Sequence, residues 1–300
     1  MSSYYGRPVI KEPTWTWQIP TYFFTGGLGG ASSVLSLSAT LFGNEQLARR
    51  ALYIGALADA ACPPLLIADL GRPERFHHML RVVKPTSPMN MGSWVLLASG
   101  GASSTAAALE RLGRLRPLRH TAATVAALFG PALATYTGVL IADTAVPVWH
   151  EGRKELPWLF GATAAASAGA AACMAVDPEH AGPARRLAIG AVAADIALMR
   201  AMELRLGEVG EVYRKGAAGT LGLAAKALAG AGATVLAKRG GRSRGAAVLG
   251  GALVCAGGLC LRWSVFKAGF QSARDPKYTV GPQRARVERE GTKVTTQPKA

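Results

Sequence analysis

Ala51-Leu52-Tyr53-Ile54-Gly55-Ala56-Leu57-Ala58-Asp59-Ala60-Ala61-Cys62-Pro63-Pro64-Leu65-Leu66-Ile67-Ala68 decides the fold class. It is the body of an apolar run over 50–70, long enough as a helix to cross roughly 30 Å of hydrocarbon. The quoted stretch, 51–68, contains one carboxylate. An ionised group at mid-bilayer costs roughly 2.5 to 3.5 kcal/mol on insertion scales, so Asp59 points to a functional site inside a helix bundle. One turn later Pro63-Pro64 withdraws two backbone donors. Asp59 therefore either satisfies an opened helix or a neighbouring one, or it handles protons.

Outward from this stretch, seven further runs of similar length cover 19–42, 90–109, 120–143, 157–176, 186–206, 216–237 and 245–266. The gaps between them are polar or charged, as in Arg111 to Arg119 and Lys238 to Arg244. Half the residues are hydrophobic, only 17% are charged, and mean hydropathy is positive. A soluble all-helical protein would show amphipathic helices with polar faces, and these runs lack them. An all-α integral membrane protein with eight spans is expected. Abundant Ala and Gly inside the runs, as in Gly26-Gly27-Leu28-Gly29-Gly30, allow close helix packing in lipid. That cluster follows no strand, so it is not a dinucleotide fingerprint.

The same cost argument singles out Asp143, Asp195 and the pair Arg200 and Glu203. Arg200 and Glu203 are i, i+3 neighbours that either neutralise each other or serve the site. The net charge of +16 does not indicate nucleic acid, because Lys and Arg sit in short loops and in the tail after Lys267. Cys62, Cys173, Cys255 and Cys260 lack Cys-x-x-Cys spacing and read as packing residues. The first fifteen residues hold no cleavable leader pattern, so the first span acts as its own insertion signal. From 271 to 300 the chain is a polar tail, expected to be disordered or docked on a partner.

Eight spans leave both termini on one side, called side A, with loops 71–89, 144–156 and 207–215. Side A gathers Gln18 at the entry of the first span, Asp69 and Asp143 at span exits, and Tyr136 two turns inside Asp143. Arg200 and Glu203 lie in the last turns of the sixth span, with Asp195 about halfway down it. Residues 71–88 read as a short interfacial helix, since Phe76, Met79, Leu80 and Val83 fall at i, i+3, i+4 and i+7. The basic residues of this connection and His77 border the same layer. Trp15, Trp17, Trp149 and Trp158 read as interfacial belt residues. Haem requires inward-facing axial ligands, yet His77, His78, His120, His150 and His180 all lie in loops or at helix ends. A b-type cytochrome is not expected.

Several stretches together resemble the membrane subunit of the NrfD/polysulfide reductase family. They are Trp15-Thr16-Trp17-Gln18-Ile19-Pro20-Thr21-Tyr22-Phe23-Phe24-Thr25-Gly26-Gly27, Asp69-Leu70-Gly71-Arg72-Pro73-Glu74-Arg75-Phe76, Lys84-Pro85-Thr86-Ser87-Pro88-Met89, Tyr136-Thr137-Gly138-Val139-Leu140 and Ala273-Arg274-Asp275-Pro276-Lys277-Tyr278. The resemblance implies eight helices in two four-helix bundles and a quinone pocket facing an iron-sulfur subunit. Neither haem nor an iron-sulfur cluster is implied in this chain. Beyond the iron-sulfur subunit it implies a molybdopterin catalytic subunit acting on polysulfide, formate, nitrite or a related small substrate.

By motif, Gln18, Tyr22 and Tyr136 match the quinone-contacting region, with Asp143 and His77 at the same layer. Asp59 occupies a second-helix position that is often acidic in the family. Where relatives place a His in the first span, none stands near Gln18. Reduction of menaquinone or ubiquinone takes up two protons with two electrons, which gives Tyr136 and Gln18 the two carbonyls to meet. Asp59, Asp195, Arg200 and Glu203 are the candidates for moving protons. The alternative is a membrane anchor or proton-translocating module without quinone turnover. Compact basic loops on side B place that side in the cytoplasm, hence a bacterial inner (plasma) membrane protein with both termini outside.

Overall fold

The computed structural model describes residues 9–282 and residue 287. The described residues form helices and turns, with no strand among them. Eight helices are of 20 residues or more: α1 (Gln18–Leu41), α2 (Glu45–Ala68), α3 (Pro88–Leu112), α4 (Arg116–Ala142), α6 (Leu156–Ala175), α7 (Gly182–Leu206), α8 (Gly216–Lys238) and α9 (Arg244–Arg274). α5 (Pro147–Glu151) is a single turn between α4 and α6. Five of these helices, α2, α4, α6, α8 and α9, are long and apolar enough to cross a membrane. The other three have the length but a different composition. α1 and α3 are diluted by Gly, Ser and Thr, and α7 carries Asp195, Arg200 and Glu203.

Local chemistry sets the helix ends. The Asn44 side chain accepts from Leu47 N at 3.1 Å to start α2, and Ser87 and Ser243 do the same for α3 and α9. Gly113, at φ 65°, ends α3 in the left-handed region. Pro63 and Pro64 do not break α2, which continues to Ala68.

Within α1–α4 each helix packs on its chain neighbour and α1 closes on α4; α6–α9 repeat the arrangement, with α6 against α9. α1 and α4 also lean on α6, which joins the two sets. Small residues make these approaches possible: a Cβ on Gly30 or on Gly130 would strike the backbone carbonyl of the other, so α1 and α4 cross backbone to backbone.

Three expectations change. The connection at 71–88 forms a 3₁₀ segment over Pro73–Leu80 rather than an α-helix. Asn90 and Trp94 of α3 capture the carbonyls that a longer helix would use: Asn90 Nδ2 donates to Met79 O at 2.6 Å and to Val82 O at 3.0 Å, and Trp94 Nε1 donates to Val82 O at 3.1 Å. Trp149 is wholly buried instead of lying in an interfacial belt. Its Nε1 donates to Val265 O at 2.8 Å and its ring stacks on Trp15 at 5.8 Å, so the pair plugs the side A end of α9. Trp17 and Trp158 remain exposed. Finally, helix α9 runs through Arg274, with Ser272 and Ala273 buried, beyond the expected start of the tail at 271. Lys277 then reaches Glu208 at 3.1 Å and Glu211 at 3.2 Å. Residues 283–286 and 288–300 of the expected tail lie outside the described residues.

Candidate functional site

A groove of about 330 Å³ opens between α2 and α3 beneath the 3₁₀ segment. Pro63, Leu66 and Ile67 of α2 line one wall, and Leu96, Leu97, Gly100 and Gly101 of α3 the other. Phe76, Met79 and Leu80 form its roof. The acid in this lining is Asp59, which is 1% exposed as a residue. Nine residues from the end of α2, it lies about 13 Å below the side A surface at the helical rise. Asp59 Oδ2 accepts from Ser103 Oγ of α3 at 2.7 Å, so the carboxylate bonds a neighbouring helix and not amides freed by Pro63 and Pro64. Its Oδ1 is buried without a hydrogen-bond partner among the described residues. Only glycine fits opposite it, because a Cβ at Gly29 would collide with the carboxylate.

Behind the groove stands a wall of hydroxyl and thiol groups. Tyr22 lies within electrostatic reach of Tyr136, Cys62 and Asp59. Thr25 Oγ1 is 3.4 Å from Cys62 Sγ, and the Tyr136 ring lies directly on Gly92 of α3. Tyr22 and Tyr136 are near each other but are not among the residues lining the groove.

At the side A entrance Thr16 ties α1 to α2. Its backbone N and Oγ1 donate to Asp69 Oδ1 at 3.0 and 2.5 Å, and Oγ1 also meets Gln18 Oε1. Gln18 is thus fixed at the mouth by a neighbour two residues away. Two expected residues fall elsewhere. Asp143 is the exposed C-cap of α4, where the chain has already left the bundle. His77 is exposed, edge-on to the rings of Phe76 and His78, and is not among the residues lining the groove that Phe76 roofs.

Charge is buried in the second set of helices as well. Glu203 is 5% exposed, and its close partner is Lys226 of α8, whose Nζ donates to Oε1 at 2.7 Å. Arg200, the expected partner, is 3.9 Å away with an exposed side chain. Asp195 Oδ1 accepts from Thr163 Oγ1 at 2.6 Å and feels the charges of Arg262 and Lys226. Arg262, 1% exposed, donates through Nη2 to Phe160 O at 2.7 Å, and its guanidinium lies 3.8 Å from the Phe160 ring centroid. Arg262 Nε and Nη1 have no partner among the described residues. Sequence reading passed over Lys226 and Arg262, although both stand inside apolar runs where the argument made for Asp59 applies.

The side A surface carries ordinary ion pairs. The Arg274 guanidinium donates to Glu12 at 2.7 and 3.0 Å and holds the Glu12 carboxyl below the usual glutamate range. Hydrogen bonds from Lys215 and Lys277 lower Glu211 likewise. Among the described residues no group of three His, Cys, Asp or Glu is placed to hold a metal ion.

A family model described as polysulfide reductase matches residues 1–274, nearly the whole chain. No curated protein matches the sequence.

Proposed function

This chain belongs to the polysulfide reductase family, and on that premise we propose that it is the quinone-interacting membrane subunit of an oxidoreductase complex. It exchanges electrons with an iron-sulfur subunit docked on side A, which serves a molybdopterin catalytic subunit. In this reading all eight long helices cross the bilayer as two four-helix bundles. The basic loops of side B face the cytoplasm of a bacterial inner membrane, and the termini face outward.

The observation that carries the proposal is the apolar groove with one carboxylate in its floor. A quinone head group is a flat apolar ring with two acceptor oxygens, and its reduction consumes two electrons and two protons. The groove supplies an apolar slot at the low end of ligand-pocket volumes and a single ionisable group within it. Asp59 Oδ1 is the atom available to receive or release a proton, while Ser103 holds Oδ2 and fixes the carboxylate's orientation. The 3₁₀ roof is latched by Asn90 and Trp94. Ser93 and Ser104 add hydroxyls to the lining, and Tyr136 and Gln18 are the proposed partners of the quinone carbonyls.

The test is a quinone-analogue titration of the purified complex. Gly101 borders the groove, and a Cβ placed on it would meet nothing within 4 Å, so Gly101→Phe is a variant that adds bulk at the groove wall with no clash at its Cβ. Saturable binding in the parent and its loss in an assembled Gly101→Phe complex is expected. Equal binding in both removes the groove from the proposal.

A second reading has one observation in its favour. Glu203 and Arg262, buried, and Lys226 and Asp195, partly buried, form a group of charges suited to a proton-translocating module without quinone turnover. In that case the analogue does not bind, and substitutions within this group affect proton release.

A further inference from the structure

At the opposite end of α1–α4 a second cavity, of about 790 Å³, opens among the side B loops. Arg49, Arg50, Arg114, Arg116 and Arg119 line it, against Glu45 and Glu110. Glu110 bridges two of the arginines: Oε1 accepts from Arg49 Nε at 2.9 Å and Oε2 from Arg119. This bridge fixes their guanidinium groups at the cavity wall. Arg50, Arg114 and Arg116 have no acidic partner among the described residues. The cavity is therefore cationic, and guanidinium forks match the oxygens of a phosphate group.

Its rim is unlike that of a pocket for a soluble anion. Leu41, Phe42, Leu112, Leu115 and Leu118 flank the arginines and are exposed, Phe42 to 89%. Such side chains next to a phosphate cradle suit an amphiphile whose tails lie along the helix ends. The basic turn of the other helix set behaves differently. There Arg244 is already occupied, donating to the carbonyls of Cys173, Met174 and Val176 at the end of α6.

We propose that the side B cavity of α1–α4 is a binding site for one anionic phospholipid, its phosphate held by Arg50, Arg114 and Arg116 and its acyl chains laid over the exposed leucines. The site is independent of the groove and of any quinone chemistry. It places an anionic lipid at the end of the helix set that carries Asp59, where the loops joining α1 to α2 and α3 to α4 meet.

Native mass spectrometry of the full chain, delipidated and then offered phosphatidylglycerol or phosphatidylcholine, tests this. One phosphatidylglycerol should be retained in preference to phosphatidylcholine, and millimolar inorganic phosphate should not displace it. At about 1 kcal/mol per basic residue near an anionic lipid, Arg114→Gln with Arg116→Gln should weaken retention about thirtyfold, and Arg50→Gln alone about fivefold. Arg153→Gln with Lys154→Gln, on side A, should leave it unchanged. Equal retention of the two lipids overturns the proposal, as does parental retention by both cavity variants. Displacement by inorganic phosphate also overturns it, in favour of a soluble-anion pocket.

Discussion

In α1–α4 the buried carboxylate of Asp59 meets one hydroxyl, an apolar groove and, among the described residues, no cation, whereas in α6–α9 Glu203, Lys226, Asp195 and Arg262 bring charges of both signs together, two of them buried and two partly so. Opposite charges brought together in low dielectric compensate part of each other's desolvation, and removing one leaves the other exposed to the full cost. A lone carboxylate has no such compensation, so the arrangement around Asp59 suits a group that changes its protonation. The difference separates two settings for enclosed charge: one set of helices groups charges of opposite sign, and the other holds a single carboxylate beside a ligand-sized groove, the one the proposed function uses for proton exchange.

The largest expected effect tests the paired set. Lys226→Met leaves Glu203 buried without its close partner. Breaking a buried pair costs about 3 to 5 kcal/mol, and the partial exposure of Lys226 puts this case near the low end. Thermal melting in detergent should fall accordingly, and adding Glu203→Gln should restore much of the loss. Parental melting of Lys226→Met would break the comparison, since the second set would then not depend on pairing.

Next comes the fit around the lone carboxylate. In Gly29→Ala the new methyl collides with Asp59, an overpacking that costs about 1 to 3 kcal/mol and displaces the carboxylate. Melting and quinone-linked activity should both drop, while Gly101→Ala, with open space, should change neither. A smaller effect is expected of Tyr136→Phe. The hydroxyl makes no protein hydrogen bond among the described residues, so melting should stay unchanged while quinone-coupled turnover slows by about 1 to 2 kcal/mol of lost transition-state stabilisation. Unchanged turnover would leave Tyr136 as a packing residue.

The smallest effect lies outside both sets, in the strap from Glu12 to Arg274. Because the folded Glu12 pKa is lowered, the strap's contribution is fully present above the ordinary glutamate value of about 4.3 and is lost as pH falls through the lowered one. Hydrogen exchange of residues 9–17 should therefore quicken only below about pH 4.3. Glu12→Gln should remove that pH dependence.

Much of this was legible in the sequence because hydropathy over 20 residues survives any packing detail, and because the cost of a carboxylate at mid-run singles it out whatever its role. Asp59 and the Tyr22–Tyr136 neighbourhood came from that reading and the motifs around it. Lys226 and Arg262 escaped it: a long basic side chain can snorkel to the interface, so only packing shows that Arg262 is enclosed. The partner of Glu203 was also hidden, since Arg200 is the neighbour that helical periodicity offers and Lys226 comes from another helix. Likewise Trp149 reads as a belt residue until Trp15 and the Val265 carbonyl are seen to enclose it. The roof of the groove was misread as an α-helix because Asn90 and Trp94, which end it, belong to the next element.

Asp59 itself gives the most direct test. Asp59→Asn keeps the size and the hydrogen bond with Ser103 but exchanges no proton, and Asp59→Leu removes both functions. Quinone-linked turnover of the assembled complex, compared across the two variants, decides between a site that exchanges protons and one that only holds helices together. Asn should impair turnover nearly as much as Leu while the subunit still inserts and binds its partner. Parental turnover in Asn, with only Leu failing through loss of the assembled complex, would contradict proton exchange at Asp59.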